Sequence, residues 1–349
     1  MRCIMPNNTL YSSPLEYSML TVYDIASRLN DADQKRAQHF ESTMGIHLSK
    51  KKFYPIKTDE ESYVLFPAEL DLLLYRGQCQ YYNPCRPSLY REKLTKIGLF
   101  VERLRYSEFR ILLETHPAIN DLANSKLEFM STLHINKLAL AQHYGLKTEL
   151  IDFTSDPFIA AFFAVTKYNI TTKKYEPIFN NYDGVYYIHK PSLIDIEPYN
   201  KRRLQAVGLY PIHRPGEQKA YSYLLFENEC LNKLNLFKQI RFKHEKKTTL
   251  KIFDIFEGGE KLFPFDPIQD KADAIISANA FSEKSFYLTN KEYKQYDIKR
   301  TKKELKKINI NISNDVNFSF SEKEVDGLSK AWKNEEDNFF SKIETRYCF

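Results

Sequence analysis

The chain has 349 residues, 43% of them hydrophobic and 28% charged, and a formal net charge of +6. This composition excludes a disordered chain and leaves room for a sizeable core, in two domains or in one large domain with extensions; the mild positive charge suits anionic ligands without demanding nucleic acid. Cys3, Cys79, Cys85, Cys230 and Cys348 form no C-x-x-C pair, the first residues hold no apolar signal core, and no run approaches the roughly 18 apolar residues of a membrane span, so we expect reduced thiols, no metal, no membrane and a cytoplasmic location.

In chain order, Asp31 to Met44 predicts a helix, with Asp31 or Asp33 as its cap, and Lys50-Lys51-Lys52 a loop. Residues 69–77 (ELDLLLYRG) read as a short buried strand ended by Gly77. A polar loop with Pro84 and Pro87 follows, then a helix from Tyr90 to about Glu114, broken by His116-Pro117. Asn136 to Tyr144 predicts a helix closing on Gly145. Thr148 to Phe153 predicts a strand, and Asp156-Pro157 the start of a helix through IAAFFAVTKY. Gly184 to His189 and Leu236 to Phe242 read as strands. YSYLLFENECLNKL reads as a helix, as does Lys246 to Glu257 before Gly258-Gly259. Lys291 to Lys307 is a dense basic run. Without regular βαβα alternation the class is α+β, with a mixed or antiparallel sheet and several packed helices.

Four constellations can carry chemistry. Arg76 sits where an apolar strand ends, next to Gly77 and Gln78; it offers a planar charged fork to phosphate or carboxylate, and the glycine would let a ligand approach the backbone. Its structural alternative is pairing with a local acid such as Asp71. Gln142 and His143 fall on the last helical turn before Gly145; a general base and a packing histidine favoured by the helix dipole both fit, while no second histidine stands at metal-ligand spacing. Asp152 and Thr154 share one strand face, and Thr154, Ser155 or Asp156 caps the helix that follows, a corner that could also hold a phosphate. In His213-Arg214-Pro215-Gly216-Glu217-Gln218, Arg214 could bind an anion and Glu217 or Gln218 orient a ribose hydroxyl, or the segment is an exposed turn. The basic aromatic stretch Phe237 to Lys247 invites a nucleic-acid reading, although its alternation suits a half-buried strand.

Taken together, LLYRGQ, PSLYR at Pro87 to Arg91, LALAQHYGLKTELIDFTSDPFIAAFFA and Arg214-x-x-x-Gln218 resemble the FRG domain, with Tyr75 in place of the signature Phe. The segment Arg241 to Ile276, containing Leu262-Phe263-Pro264, is similar to the family's closing helix and Phe-Pro motif. The resemblance implies an extension over residues 1–71, an FRG-like domain over 72–276 and a charged region over 277–349. Lys219-Ala220-Tyr221 departs from the family's Gly-x-Phe, and Glu149 stands where a basic residue is usual.

A more distant resemblance, to the Arg–Ser–Glu layout of ADP-ribosyltransferases, implies an ADP-ribosyltransferase-like fold and NAD as substrate. It places Arg76, with Gly77, Gln78 and Arg214, against the nucleotide phosphates. Thr154 and Ser155 would line the nicotinamide pocket, and Asp152, with His143 and Gln218 beside it, would be the catalytic group. Glu217 and the Glu227-Asn228-Glu229 pair remain alternative carboxylates. The implied activity is ADP-ribosyl transfer, to a protein or nucleic-acid acceptor, or NAD hydrolysis, in a toxin or defence effector. A non-catalytic nucleotide- or nucleic-acid-binding module is the other reading of the same residues.

Overall fold

The computed structural model describes residues 20–44, 53–57, 63–67, 72–124, 133–179, 182–192, 195, 203–208, 211–293 and 297–343. Lys50-Lys51-Lys52, Asp71 and the first residues of the strand expected over 69–77 lie outside them.

A single six-stranded sheet organises the molecule. Its strands are β3 (Leu74–Gln78), β4 (Leu150–Thr154), β7 (Asp183–His189), β8 (Leu204–Ala206), β9 (Ala220–Leu224) and β10 (Phe237–Lys243), in the order β10-β7-β3-β4-β9-β8, every pair antiparallel. Smaller two-stranded sheets are formed by β1 (Phe53–Lys57) with β2 (Tyr63–Pro67), and by β5 (Thr166–Asn169) with β6 (Lys174–Pro177). With the helices this is the expected α+β class.

The centre of the sheet is split. β3 and β4 pair at one register only, Tyr75 opposite Thr154, whereas β4 pairs with β9 along its whole length and β3 with β7 along its own. The main-chain carbonyl of Asp152, left without a β3 partner, accepts instead from the Arg76 guanidinium at 2.7 Å. A buried backbone acceptor is costly unless paired, so one side-chain bond is spent where the ladder ends.

Helices cover the sheet. α1 (Val22–Met44) and α5 (Pro157–Val165) pack with Tyr75, Tyr186 and Phe242 in one apolar cluster. Gly77 is required here: a Cβ on it would lie 1.9 Å from the Ala160 carbonyl oxygen and 2.7 Å from the Ala164 Cβ. The close approach that this glycine permits on the Cβ side is therefore by helix α5. The other clusters join α2 (Lys96–Glu114), α3 (Pro117–Asn124) and α4 (Lys137–His143) to α8 (Pro267–Ser277), and to α11 (Glu322–Phe340), whose Trp332 donates its indole N–H to Asp121 at 2.8 Å.

Several boundaries differ from expectation; the helix expected through IAAFFAVTKY stops at Val165, because Thr166–Asn169 pairs with β6 as strand β5. α1 starts at Val22, because Thr21 and Asp24 hydrogen-bond reciprocally across its first turn (3.1 and 3.2 Å). Asp31 and Asp33 are thus interior, and Asp33 accepts from the Tyr75 hydroxyl at 2.8 Å. α2 starts at Lys96, where the Thr95 hydroxyl accepts from Gly98 N–H; Ser88–Tyr90 is an isolated 3-10 turn. The helix read over YSYLLFENECLNKL is overturned: Ala220–Leu224 is strand β9, held between β4 and β8 and covered on both faces, so its run of buried residues lost the alternation that marks a half-buried strand. No helix among the described residues is long and apolar enough to cross a membrane.

Candidate functional site

A cavity of about 1090 Å³ opens where β3 and β4 part. Its floor comes from short, well-terminated elements. α4 is capped by the Asn136 side chain, which accepts from Ala139 N–H, and ends on Gly145 in the left-handed conformation (φ +87°) that a side chain disfavours. This stop leaves Gln142 and His143 on the final turn, facing the end of β4. α6 (His213–Glu217) precedes β9 and delivers Arg214 from its first turn and Gln218 at its end.

Asp152 is the centre of the polar floor. Gln142 Nε2 donates to its Oδ2 at 3.1 Å, the Ser222 hydroxyl to its Oδ1 at 3.4 Å, and His143 Nε2 lies 3.7 Å from Oδ1. His143 Nδ1 meets Gln218 Oε1 at 3.1 Å, and Gln218 Nε2 donates to the Leu262 carbonyl at 3.1 Å. Burial lowers the His143 pKa; Asp152 and Gln218 oppose the fall and Arg214 adds to it, with the net direction downward. The imidazole is therefore neutral at pH 7.

Three guanidiniums surround this floor. Arg76, Arg91 and Arg214 all line the cavity, and none forms an ion pair among the described residues. Arg91 bonds the Arg86 carbonyl through Nε at 3.2 Å. Partial burial, and then the nearby Arg76 charge, hold Arg91 below the usual arginine range. Arg214 stacks over Phe263 at 4.8 Å and Tyr144 at 5.5 Å from the ring centres. The acid nearest that stack, Asp266, is engaged by the Tyr144 hydroxyl and by Ile268 N–H; burial raises its pKa despite those bonds. Arg76 and Arg214 are partly buried and Arg91 is more exposed; three cations facing one cavity without carboxylate partners among the described residues favour recruitment of an anion, and arginine forks match phosphate oxygens. Aromatic walls complete the site: Tyr175 stacks on Phe263 at 4.5 Å, and Phe265 is 82% exposed at the mouth.

Of the residues singled out in the sequence, Arg76, Gly77, Gln78, His143, Asp152, Thr154, Arg214 and Gln218 all line this cavity. Ser155 does not; its main-chain N–H donates to the Lys219 carbonyl at 3.2 Å. The cap of α5 is Asp156, which accepts from Phe158 and Ile159 N–H (2.8 and 3.2 Å), so the phosphate site suggested at this helix start is filled by the chain itself. The Thr154 hydroxyl accepts from Asp156 N–H at 3.1 Å. Among the alternative carboxylates, Glu229 pairs with Arg203 at 2.9 Å, and neither it, Glu227 nor Glu217 reaches the cavity. Sequence reasoning missed Arg91, although PSLYR contains it, and missed Tyr144, Tyr175 and Phe263, whose aromatic character reads as ordinary core. Among the described residues no cluster of His, Cys, Asp or Glu could hold a metal ion.

The architecture is thus an α+β protein with an arginine-lined cavity at a split in an antiparallel sheet. Residues 71–173 match the model of the FRG domain, so the chain carries that domain. The match includes Arg76, Arg91, His143, Asp152 and Thr154 and stops short of Arg214 and Gln218, which complete the same cavity from outside it. No curated protein and no solved structure matches the chain in these comparisons.

Proposed function

We propose that the cavity binds NAD or a closely related nucleotide, and that the protein is an ADP-ribosyltransferase or NAD glycohydrolase. The observation that carries this reading is the set of three arginines that form no ion pair among the described residues, Arg76, Arg91 and Arg214, around Asp152, in a cavity whose lining also includes Glu257, Glu260, Asp266, Asp270 and Asp273. The guanidiniums suit a pyrophosphate, and the Tyr175–Phe263 stack suits an aromatic base. Asp152 supplies negative charge where an oxocarbenium-like centre would develop, the kind of preorganised stabilisation worth about 10²- to 10³-fold in rate. Further support comes from topology: the segments bearing Arg76, Thr154 and Gln218 lie on, or lead into, the adjacent strands β3, β4 and β9, in the order that the ADP-ribosyltransferase resemblance implies.

A second reading, a nucleotide-binding module without turnover, is favoured by one observation. Gln218, rather than a carboxylate, stands before β9. Nicotinamide release from NAD by the purified protein, beside an Arg76→Ala form, separates the two. We expect release by the wild type and at least a 10²-fold loss in the variant. Saturable NAD binding without release selects the binding module; neither binding nor release removes NAD as the ligand.

A further inference from the structure

We infer that Gln218 is a positioning residue that holds His143 as the Nδ1–H tautomer and so leaves Nε2 an unprotonated acceptor beside Asp152. The argument starts at Leu262. A main-chain carbonyl only accepts, so the Gln218 group facing it at 3.1 Å is the amide NH2. The other end of the same amide, Oε1, then faces His143 Nδ1 at 3.1 Å, and an acceptor there requires the proton on Nδ1. The opposite orientation would set two oxygens against each other at Leu262. In a neutral ring the second nitrogen is then bare. It is buried, has no hydrogen-bond partner, and lies 3.7 Å from Asp152 Oδ1.

Gln142 does the matching task for the carboxylate. Its Oε1 accepts from the Thr148 hydroxyl, and its NH2 donates to Asp152 Oδ2 at 3.1 Å. Two glutamine amides therefore fix two adjacent acceptors, Oδ1 of the partly exposed Asp152 carboxylate and the buried Nε2 beside it. Such a pair is complemented by a ligand O–H. The charged groups around the ring are Asp152 from β4 and Arg214 from α6.

Resting on the NAD reading, the O–H belongs to the attacking water or acceptor hydroxyl. Its proton passes to His143 Nε2 as its oxygen bonds the anomeric carbon. The C–N glycosidic bond breaks with its electron pair going to the pyridinium nitrogen, so nicotinamide leaves neutral. Asp152 then faces the imidazolium.

The test is ¹⁵N NMR of the ring nitrogens in the histidine-labelled full chain, with His143 assigned by the signal lost in His143→Gln. At pH 7.5 the wild type is expected to show a protonated Nδ1 and a bare Nε2. A proton on Nε2 overturns the proposal. Gln218→Met is expected to give a mixture of tautomers and about a 10²-fold lower kcat for NAD with KM little changed; an unmixed Nδ1–H tautomer in that variant overturns the positioning role. Gln218→Glu retains an acceptor at Nδ1 and is expected to keep Nδ1–H while moving the ionisation of His143 to higher pH; no upward move counts against the contact. The tautomer is read without turnover, so failure of the NAD reading leaves a result of its own.

Discussion

Two histidine–aspartate pairs among the described residues, His189–Asp195 and His143–Asp152, differ in what surrounds them. His189 and Asp195 are 1% and 3% exposed and approach to 3.3 Å. Asp195 accepts from the Ser192 main-chain N–H at 2.8 Å and from the Tyr223 hydroxyl at 3.1 Å, and His189 Nδ1 donates to the Leu236 carbonyl at 3.1 Å. Phe153, Tyr223 and Phe237 pack around the ring. Burial pushes the Asp195 carboxyl up, but His189 and Ser192 outweigh it, and the net shift is downward. His143 and Asp152 combine the same side chains at 3.7 Å, and in both pairs the histidine Nε2 makes no hydrogen bond among the described residues, yet the Asp152 side chain is 34% exposed to a cavity. A pair sealed from solvent serves the fold; a pair whose carboxylate faces a cavity is available to a ligand. Residue types alone do not separate the two cases.

Substitution should break this contrast most strongly at the closed pair. Asp195→Ala leaves a buried histidine and the Tyr223 hydroxyl without their acceptor, and should cost about 3–5 kcal/mol in urea unfolding. A loss below about 1 kcal/mol would mean that the closed pair does not hold the sheet together. Asp152→Asn should do the reverse. Stability stays within about 1 kcal/mol, because the side chain is partly exposed and keeps its amide and hydroxyl neighbours. Nicotinamide release should fall about 10²- to 10³-fold, roughly 3–4 kcal/mol of barrier. An active Asp152→Asn form would remove the carboxylate from the mechanism.

A third buried histidine sharpens the comparison, because it has no acid at all. His116 lies edge-on to Phe320, its Nδ1 is unpartnered, and burial alone lowers its pKa from 6.5 to about 4. As pH falls, the unfolded chain takes up this proton first. The stability is therefore fully present above pH 6.5 and is lost progressively toward pH 4. The loss should reach about 2–3 kcal/mol, and His116→Phe should flatten unfolding free energy across that window. An unchanged pH dependence in the variant would show that the ring titrates normally. The smallest effect is expected at the cavity mouth. Lys173 reaches Asp273 at 3.2 Å, but both are well exposed, so Lys173→Ala should change stability by less than about 0.5 kcal/mol. A larger loss would mark this contact as a structural clasp between the β5–β6 turn and α8.

Much of the site was legible before any coordinates. The strand that carries Arg76, the helix stop at Gly145 that leaves His143 on the last turn, and the alternation that puts Asp152 and Thr154 on one face follow from local rules of 2.0- and 3.6-residue periodicity; the strand continues through Gly77 to Gln78, so Arg76 stands at its middle and not at the expected end. These elements are short and bounded by caps and glycine, so nearby residues decide them. The strand at Ala220–Leu224 was misread as a helix for the opposite reason. Burial on both faces removes alternation, and only its neighbours β4 and β8 specify it as a strand.

The sequence by itself determined which polar groups stand at the ends of rigid elements, because caps, breakers and periodicity act over a few residues. Tertiary structure alone decided which of them meet. It turned Gly77 toward a helix, sent Ser155 to a backbone contact and Glu229 to Arg203, and brought Arg91 and the aromatic walls to the cavity. The physical reason is that hydrogen-bonding capacity is consumed by whichever partner packs nearest. Whether a side chain is left over for a ligand is therefore a property of the whole assembled sheet and its helices.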